Sequence, residues 1–428
     1  MTKLLFAVLL LVGGLCLPAG THAQIQAQAP VQPASPTAVL NQYSDIAQAM
    51  YGDALARARL LLKRVEALVA KPSEASLAAA REAWLKAREI YPQTEVFRFG
   101  NKIVDEWEGR VNAWPLDEGL IDYVDTGRYG ESSDANPWYA ANIIAHPKLS
   151  IGGKRVETAQ ITWRTLRGLQ EAGGVEANVA TGYHAVEFLL WGQDLNGTRP
   201  GAGNRPWTDY AQGSACTHPP CNRRAAYLQV ATRLLVDDLA WMATQWSKEG
   251  EARKTLLADP VAGISSIVTG LGSLAYGELA GERMKLGLLL HDPEEEQDCF
   301  SDNTHNSHYY NVVGMQAVYL GRYGKLQGPG LSALVAAKAP ALDAEMRGKL
   351  DASLGAMTAL KQRAETVERY DQMLAEGNTA GAAVIETAIA ALIDQTRTLE
   401  RIIAALQLGK VKFEGSDSLD APAKVGKK

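Results

Sequence analysis

The fold is decided by the run Ser35–Ala70, "SPTAVLNQYSDIAQAMYGDALARARLLLKRVEALVA". Ser35 offers an N-cap hydroxyl, and Pro36 suits a first helical position because no amide hydrogen is needed there. Val39, Tyr43, Ile46, Met50, Ala54, Leu61, Val65 and Leu68 follow at helical spacing. One face of a long helix is therefore apolar and has to be covered by other helices. Pro72 stops the run. Ser73 caps a second helix, "SEASLAAAREAWLKAREIY", which ends before Pro92 because the residue ahead of a proline is pushed out of helical geometry.

Outward from this pair the same spacing recurs in "RVETAQITWRTLRGLQEA", "EANVATGYHAVEFLLWG", "RRAAYLQVATRLLVDDLAWMATQWS" and "VAGISSIVTGLGSLAYGELAGERMKLGLLL". Further on it returns in "NVVGMQAVYLGRYG", "DAEMRGKLDASLGAMTALKQRAETV" and "GAAVIETAIAALIDQTRTLERIIAALQLG". No segment sustains a period-two alternation, so the expected class is all-α. A chain of 428 residues is long for one core, which favours two four-helix-bundle-like domains. We expect residues 36–200 to form the first and 225–410 the second, joined by a Gly-, Pro- and Asn-rich crossover at 201–224. "GYHAVEFLLWG" and "GSLAYGELAGERM" occupy comparable places in the two halves, a faint sign of an ancient duplication. Residues 411–428 read as a disordered tail. From Gln93 to Ser150 the periodicity breaks into short pieces, a pattern more often functional than idle.

The first 23 residues read as a secretory signal. Lys3 precedes the apolar "LLFAVLLLVGGLCL", and Thr21 and Ala23 place small residues before a cut after Ala23; the segment is too short for a stable membrane span. Cys16 invites a lipoprotein reading, but the bulky Leu15 before it opposes that. Residues 24–35 form a flexible leader. The expected destination is the periplasm, with at most peripheral association with an outer membrane. In an oxidising compartment Cys216 and Cys221 of "CTHPPC" are candidates for a disulfide. A metal alternative using His218 lacks a fourth ligand, and Cys299 is left over.

Hydrophobic residues at 46% and charged residues at 21% describe an ordinary soluble protein, and the net charge of −5 is spread along the chain. No basic block marks a nucleic-acid partner. Signatures of serine hydrolases, of nucleotide-binding loops and of covalent haem attachment are all missing from the sequence.

The chemistry concentrates in "TGYHAVEFLLWG", Thr181–Gly192. His184 and Glu187, three apart, share one helix face, with Tyr183, Phe188, Leu189, Leu190 and Trp191 around them. A carboxylate in that setting has to be neutral, paired or metal-bound. The bland alternative is a core histidine bonded to its neighbour, and spacing alone does not decide between them. Phe188 stands where the inverted zinc motif needs a second histidine, so further ligands have to come from elsewhere. "PQTEVFRFG" supplies Glu95 and Arg98, and "DCFSDNTHNSHYY" supplies Asp302, His305 and His308. Capping and local ion pairing compete as explanations for both. "HDPEEEQD" reads as a solvated acidic loop, and Asp117 and Glu118 of "WPLDEG" as a turn.

Together "GYHAVEFLLWGQDLNG", "PQTEVFRFG", "WEGRVNAWPLDEGLIDYV" and "CFSDNTH" resemble blocks of the imelysin-like proteins, the M75 peptidase family, and its iron-regulated protein A branch. The resemblance runs from about Val39 to Leu408. It implies an exported protein of two helical bundles with a site near their junction. It also implies either a part in bacterial iron uptake or an insulin-cleaving outer-membrane metallopeptidase. His184 and Glu187 match the family's Gly-x-His-x-x-Glu motif directly. We expect Glu95, Asp302 or His305 to complete an oxygen-rich shell, Arg98 to fix the Glu95 carboxylate, and Tyr183 and Asp117 to support it. Such a donor set favours iron over zinc. Three readings follow: a metal-binding protein in iron handling, with other iron-uptake components as partners; a zinc metallopeptidase with Glu187 catalytic; and a non-catalytic interaction protein.

Overall fold

A computed structural model describes residues 34–151 and 154–426, and they are mostly helical. The signal segment and the leader as far as Pro33 lie outside the described residues. α1 spans Pro36–Ala70, with the Ser35 hydroxyl accepting from the Ala38 amide at 3.2 Å. All eight residues of the apolar stripe are buried. Each such Leu, Ile or Val contributes roughly 1.5–3 kcal/mol by leaving water. α2, Glu74–Arg88, starts at a capping box between Ser73 and Ser76. Short pieces follow: a 3-10 segment at Tyr91–Phe97, then α3 at Lys102–Glu108 and α4 at Thr126–Tyr129.

Strands β1, Lys148–Ile151, and β2, Lys154–Glu157, pair antiparallel, and α5 covers only Trp163–Leu169. The helix expected from Arg155 is thus half hairpin. Two short runs flanking Gly-Gly are a hairpin signal that an apparent helical spacing concealed. α6 is Gly182–Trp191 and α7 is Cys221–Gln245. α8, Glu251–Ala258, leads into α9, Pro260–Ser273. The same axis continues as a π-helical segment, Leu274–Lys285, and then α10, Leu286–Leu290. α11 is Thr304–Leu320; β3, Arg322–Tyr323, pairs with β4, Leu326–Gln327; and α12 is Leu331–Lys338. α13, Pro340–Thr366, α14, Tyr370–Leu374, α15, Thr379–Leu406, and α16, Asp417–Asp420, complete the chain.

α1, α2, α6 and α7 pack together, as do α11, α13, α15 and the π-helical segment. The buried apolar side chains of both groups nevertheless belong to one continuous core, and residues from Ala34 onward form one compact unit. The expected crossover is folded onto that unit. Arg205 and Arg224 are buried against Asp122, and the Tyr210 hydroxyl donates to the Leu189 carbonyl. Cys216 and Cys221 are joined in a disulfide at the start of α7. His218 turns to Asp209 at 2.6 Å.

The tail is a second correction. It lies along the end of α9 and the π-helical segment, where Gly272, Gly277 and Gly281 leave room for Phe413, the Glu414 carbonyl and Ser416. A Cβ at Gly281 would stand 2.3 Å from that of Ser416. Glu414 N donates to Ser273 Oγ at 3.0 Å, and Ser418 Oγ to the Gly281 carbonyl at 2.9 Å. Low hydrophobicity hid this docking because it depends on glycines more than 130 residues upstream (Ser416 lies 135 after Gly281). Among the described residues no single helix is long and apolar enough to cross a membrane.

Candidate metal centre

α6 reaches the centre of the protein through a tight entry. Gly182 has φ +90°, and a Cβ there would lie 2.5 Å from the Val111 carbonyl oxygen. That carbonyl accepts from the Tyr183 amide at 2.7 Å. Only glycine tolerates both the conformation and the approach. It also explains why the helix starts at Gly182 rather than near Glu176. Every residue of α6 is buried, so its polar pair has no water to turn to.

His184 Nδ1 stands 3.0 Å from Glu187 Oε2. The other Glu187 oxygen accepts from Ser301 N at 3.0 Å and Ser301 Oγ at 2.6 Å. Asp298, in the loop before α11, brings Oδ1 to 3.9 Å from His184 Nδ1. His184, Glu187 and Asp298 each offer a ligand atom within 4.8 Å of the others, with side-chain exposures of 1%, 0% and 0%. Arg88, the last residue of α2, donates to Asp298 at 2.9 Å, to Asn112 at 2.6 Å and to Ser307 at 3.1 Å. Its guanidinium lies against the rings of Trp84, Tyr91 and Tyr183. Asn303 and Ser307 donate to the second Asp298 oxygen at 2.8 and 2.6 Å.

The electrostatics separate these groups. Burial would raise the Asp298 carboxyl, but Arg88, His184, Ser307 and Asn303 together hold it below its usual range. Burial, and then the charge of Asp298, push Glu187 well above its usual value despite the Ser301 hydrogen bonds. Burial and Arg88 lower His184 to about 3, so the imidazole is neutral. Its Nε2 has no hydrogen-bond partner. A neutral imidazole with an orphaned nitrogen beside two carboxylates has the donor chemistry of a metal ligand set, and Ser301 and Arg88 orient it from behind.

The other expected residues are placed differently. Glu95 is buried but pairs with Arg283 of the π-helical segment, and its second oxygen has no partner. Arg98 does not fix it; it reaches Asp105, Glu108 and Glu278 at 3.1, 3.7 and 3.5 Å. The 3-10 turn after Pro92 sends Glu95 inward while Arg98, the residue that ends it, stays nearer the surface. Asp302 joins Glu296 and Asp371 in a separate group. There burial and Asp194 raise its carboxyl to about 7, and burial and Asp302 raise Asp371 to about 8. His305 Nε2 faces the Asn306 side chain at 3.1 Å. His308 is buried against the Tyr370 ring, not solvated, and neither Asp302 nor Thr304 caps α11. Asp117 accepts from Asn136 at 2.6 Å, on the wall of a cavity of about 450 Å³ that also holds Glu118, Glu294 and Cys299. Tyr183 supports the centre with its ring, beside Tyr91 at 4.8 Å.

Sequence reasoning missed Arg88, Asp298 and Ser301. "HDPEEEQD" does not behave as one solvated loop, because Glu296, Gln297 and Asp298 are buried. The available signal was the switch from acidic residues to Cys299 and Phe300, also buried. An apolar pair following an acidic run marks where the chain turns inward.

A mostly helical body enclosing a histidine and two carboxylates defines the class: a helical protein whose interior carries groups able to hold a metal ion. Residues 47–399 match the imelysin family, Peptidase M75, and the chain belongs to that family. Over 50 residues it is 44% identical to iron-regulated protein A of Synechococcus elongatus (strain ATCC 33912 / PCC 7942 / FACHB-805), a match spanning 11% of this chain and 14% of that relative. It shares its fold with an iron-regulated protein A precursor from Parabacteroides distasonis ATCC 8503. That structure is 18% identical with a TM-score of 0.62, over 87% of this chain and 95% of that one. An imelysin-like protein from Psychrobacter arcticum 273-4 is 16% identical with a TM-score of 0.56, over 88% and 97%.

Proposed function

We propose that this is an exported, periplasmic imelysin-family protein that binds iron as cargo, held by His184, Glu187 and Asp298. The observation that carries the reading is a fully buried, neutral His184 whose Nδ1 faces the carboxyls of Glu187 and Asp298 and whose Nε2 has no hydrogen-bond partner. One imidazole with two carboxylates suits ferrous or ferric iron, and other divalent ions less selectively. A role in iron uptake fits the name of the relative, iron-regulated protein A. Delivery to or from other iron-uptake components, and any outer-membrane contact, belong to the same proposal. So does an origin of the two helical groups as bundle-like halves.

Metal analysis of untagged protein, followed by anaerobic titration with Fe(II) and with Zn(II), tests the reading. A single tightly held ion is expected, lost in His184→Ala and in Glu187→Gln. Protein that neither carries nor takes up metal would sink it. The zinc peptidase alternative is disfavoured by access, since Glu187 offers no surface to a polypeptide. Cleavage of insulin chains that disappears in Glu187→Gln would restore that alternative. A pure interaction protein would keep its function in both variants.

A further inference from the structure

Glu296 and Asp302 come from the loop between α10 and α11, and Asp371 from the first turn of α14. Each offers an oxygen within 4.8 Å of the other two. Exposures are 1%, 5% and 1%. Glu296 Oε2, Asp302 Oδ1 and both Asp371 oxygens have no hydrogen-bond partner. Among the described residues no lysine, arginine or histidine forms an ion pair with any of the three. Arg369, adjacent in sequence to this turn, donates instead to the Ala364 carbonyl at 3.2 Å. Buried acceptors without donors are costly, and three in one place repel.

We propose that Glu296, Asp302 and Asp371 form a second cation site, separate from the His184 centre and suited to a hard divalent ion of the calcium class. An all-oxygen set without nitrogen or sulfur selects against zinc and towards hard cations. Oxygens this close lie within reach of one such ion, whose ligands stand at roughly 2.3–2.6 Å. Because the oxygens come from two separate elements, an ion here would tie α14 to the loop that carries Asp298 and Ser301. The site therefore has a structural consequence for the first centre while sharing no ligand with it.

The test is calcium titration of the full chain after chelator treatment, by calorimetry and by thermal unfolding. Wild type is expected to bind Ca²⁺ and to melt at a higher temperature in its presence. Glu187→Gln should retain both responses. The double variant Asp302→Asn with Asp371→Asn should lose Ca²⁺ affinity by about two orders of magnitude, while its Zn(II) or Fe(II) binding at the His184 centre persists. If the double variant does not fold, Asp371→Asn alone decides, since it changes one carboxyl to an amide of the same shape. A wild type indifferent to millimolar Ca²⁺, Ca²⁺ binding unchanged in Asp371→Asn, or Ca²⁺ binding abolished in Glu187→Gln would each overturn the proposal.

Discussion

Two buried polar clusters in this protein use the same kinds of residue to opposite ends. Around Glu95, every carboxylate touches a guanidinium: Glu95 and Glu278 meet Arg283, and Glu108, Glu278 and Asp105 meet Arg98. Around His184, the one guanidinium, Arg88, is engaged by Asp298, and Glu187 is left with a neutral imidazole and a serine. In the first cluster two guanidiniums are shared so that each carboxylate has one within reach. In the second no guanidinium reaches Glu187, and burial raises its carboxyl instead. The contrast lies in whether a guanidinium reaches each buried carboxylate, not in how many carboxylates are buried.

The largest effect expected from breaking this contrast is at Arg283. Arg283→Met strips the counter-charge from Glu95 and Glu278, and should destabilise the fold by about 3–5 kcal/mol in urea unfolding. A loss under about 1 kcal/mol would mean that the cluster is not an ion-pair network. Glu187→Gln should act the other way on the metal-free protein. The amide replaces a carboxyl that burial already keeps protonated, so stability should hold or rise slightly, while metal affinity falls about 100-fold. A destabilised variant with unchanged affinity would make Glu187 structural. Ser301→Ala, which removes the hydroxyl but keeps the amide hydrogen bond to the same Glu187 oxygen, should lower metal affinity about tenfold with little change in fold.

The pH dependence follows from the histidines. Burial, and then Arg283, lower His308 to about 3, against roughly 6.5 in an unfolded chain. Its folded value is depressed, so the unfolded state takes up the proton first. The stability it contributes is whole above pH 6.5 and is lost as pH falls from there towards 3. Each such histidine steepens the acid limb by at most about 1.4 kcal/mol per pH unit. His308→Phe should therefore lose less stability than wild type between pH 6.5 and 4, and parallel curves would count against a neutral buried imidazole. The smallest effect belongs to Arg98, one-quarter exposed: Arg98→Ala should cost about 1 kcal/mol or less.

The sequence by itself determined most of the helices and the placing of His184 and Glu187 together on one of them. The stripe of α1, the Ser35 and Ser73 caps and the His184–Glu187 spacing are local properties, written in residues within a few turns of one another. So was the reading of α6 as a buried helix, since its apolar residues leave no polar face for solvent. What only the tertiary structure decided was pairing over distance. Arg88 and Asp298 lie 210 residues apart, and Glu95 and Arg283 lie 188 apart, and no periodicity reports such partners. The tail's docking on Gly272, Gly277 and Gly281, and the inward turn of Glu296 and Asp298, depend equally on surfaces that exist only after the helices have packed. Helical propensity and capping act within a turn, whereas the charge balance of a buried site is set by which distant residues the packing brings to it.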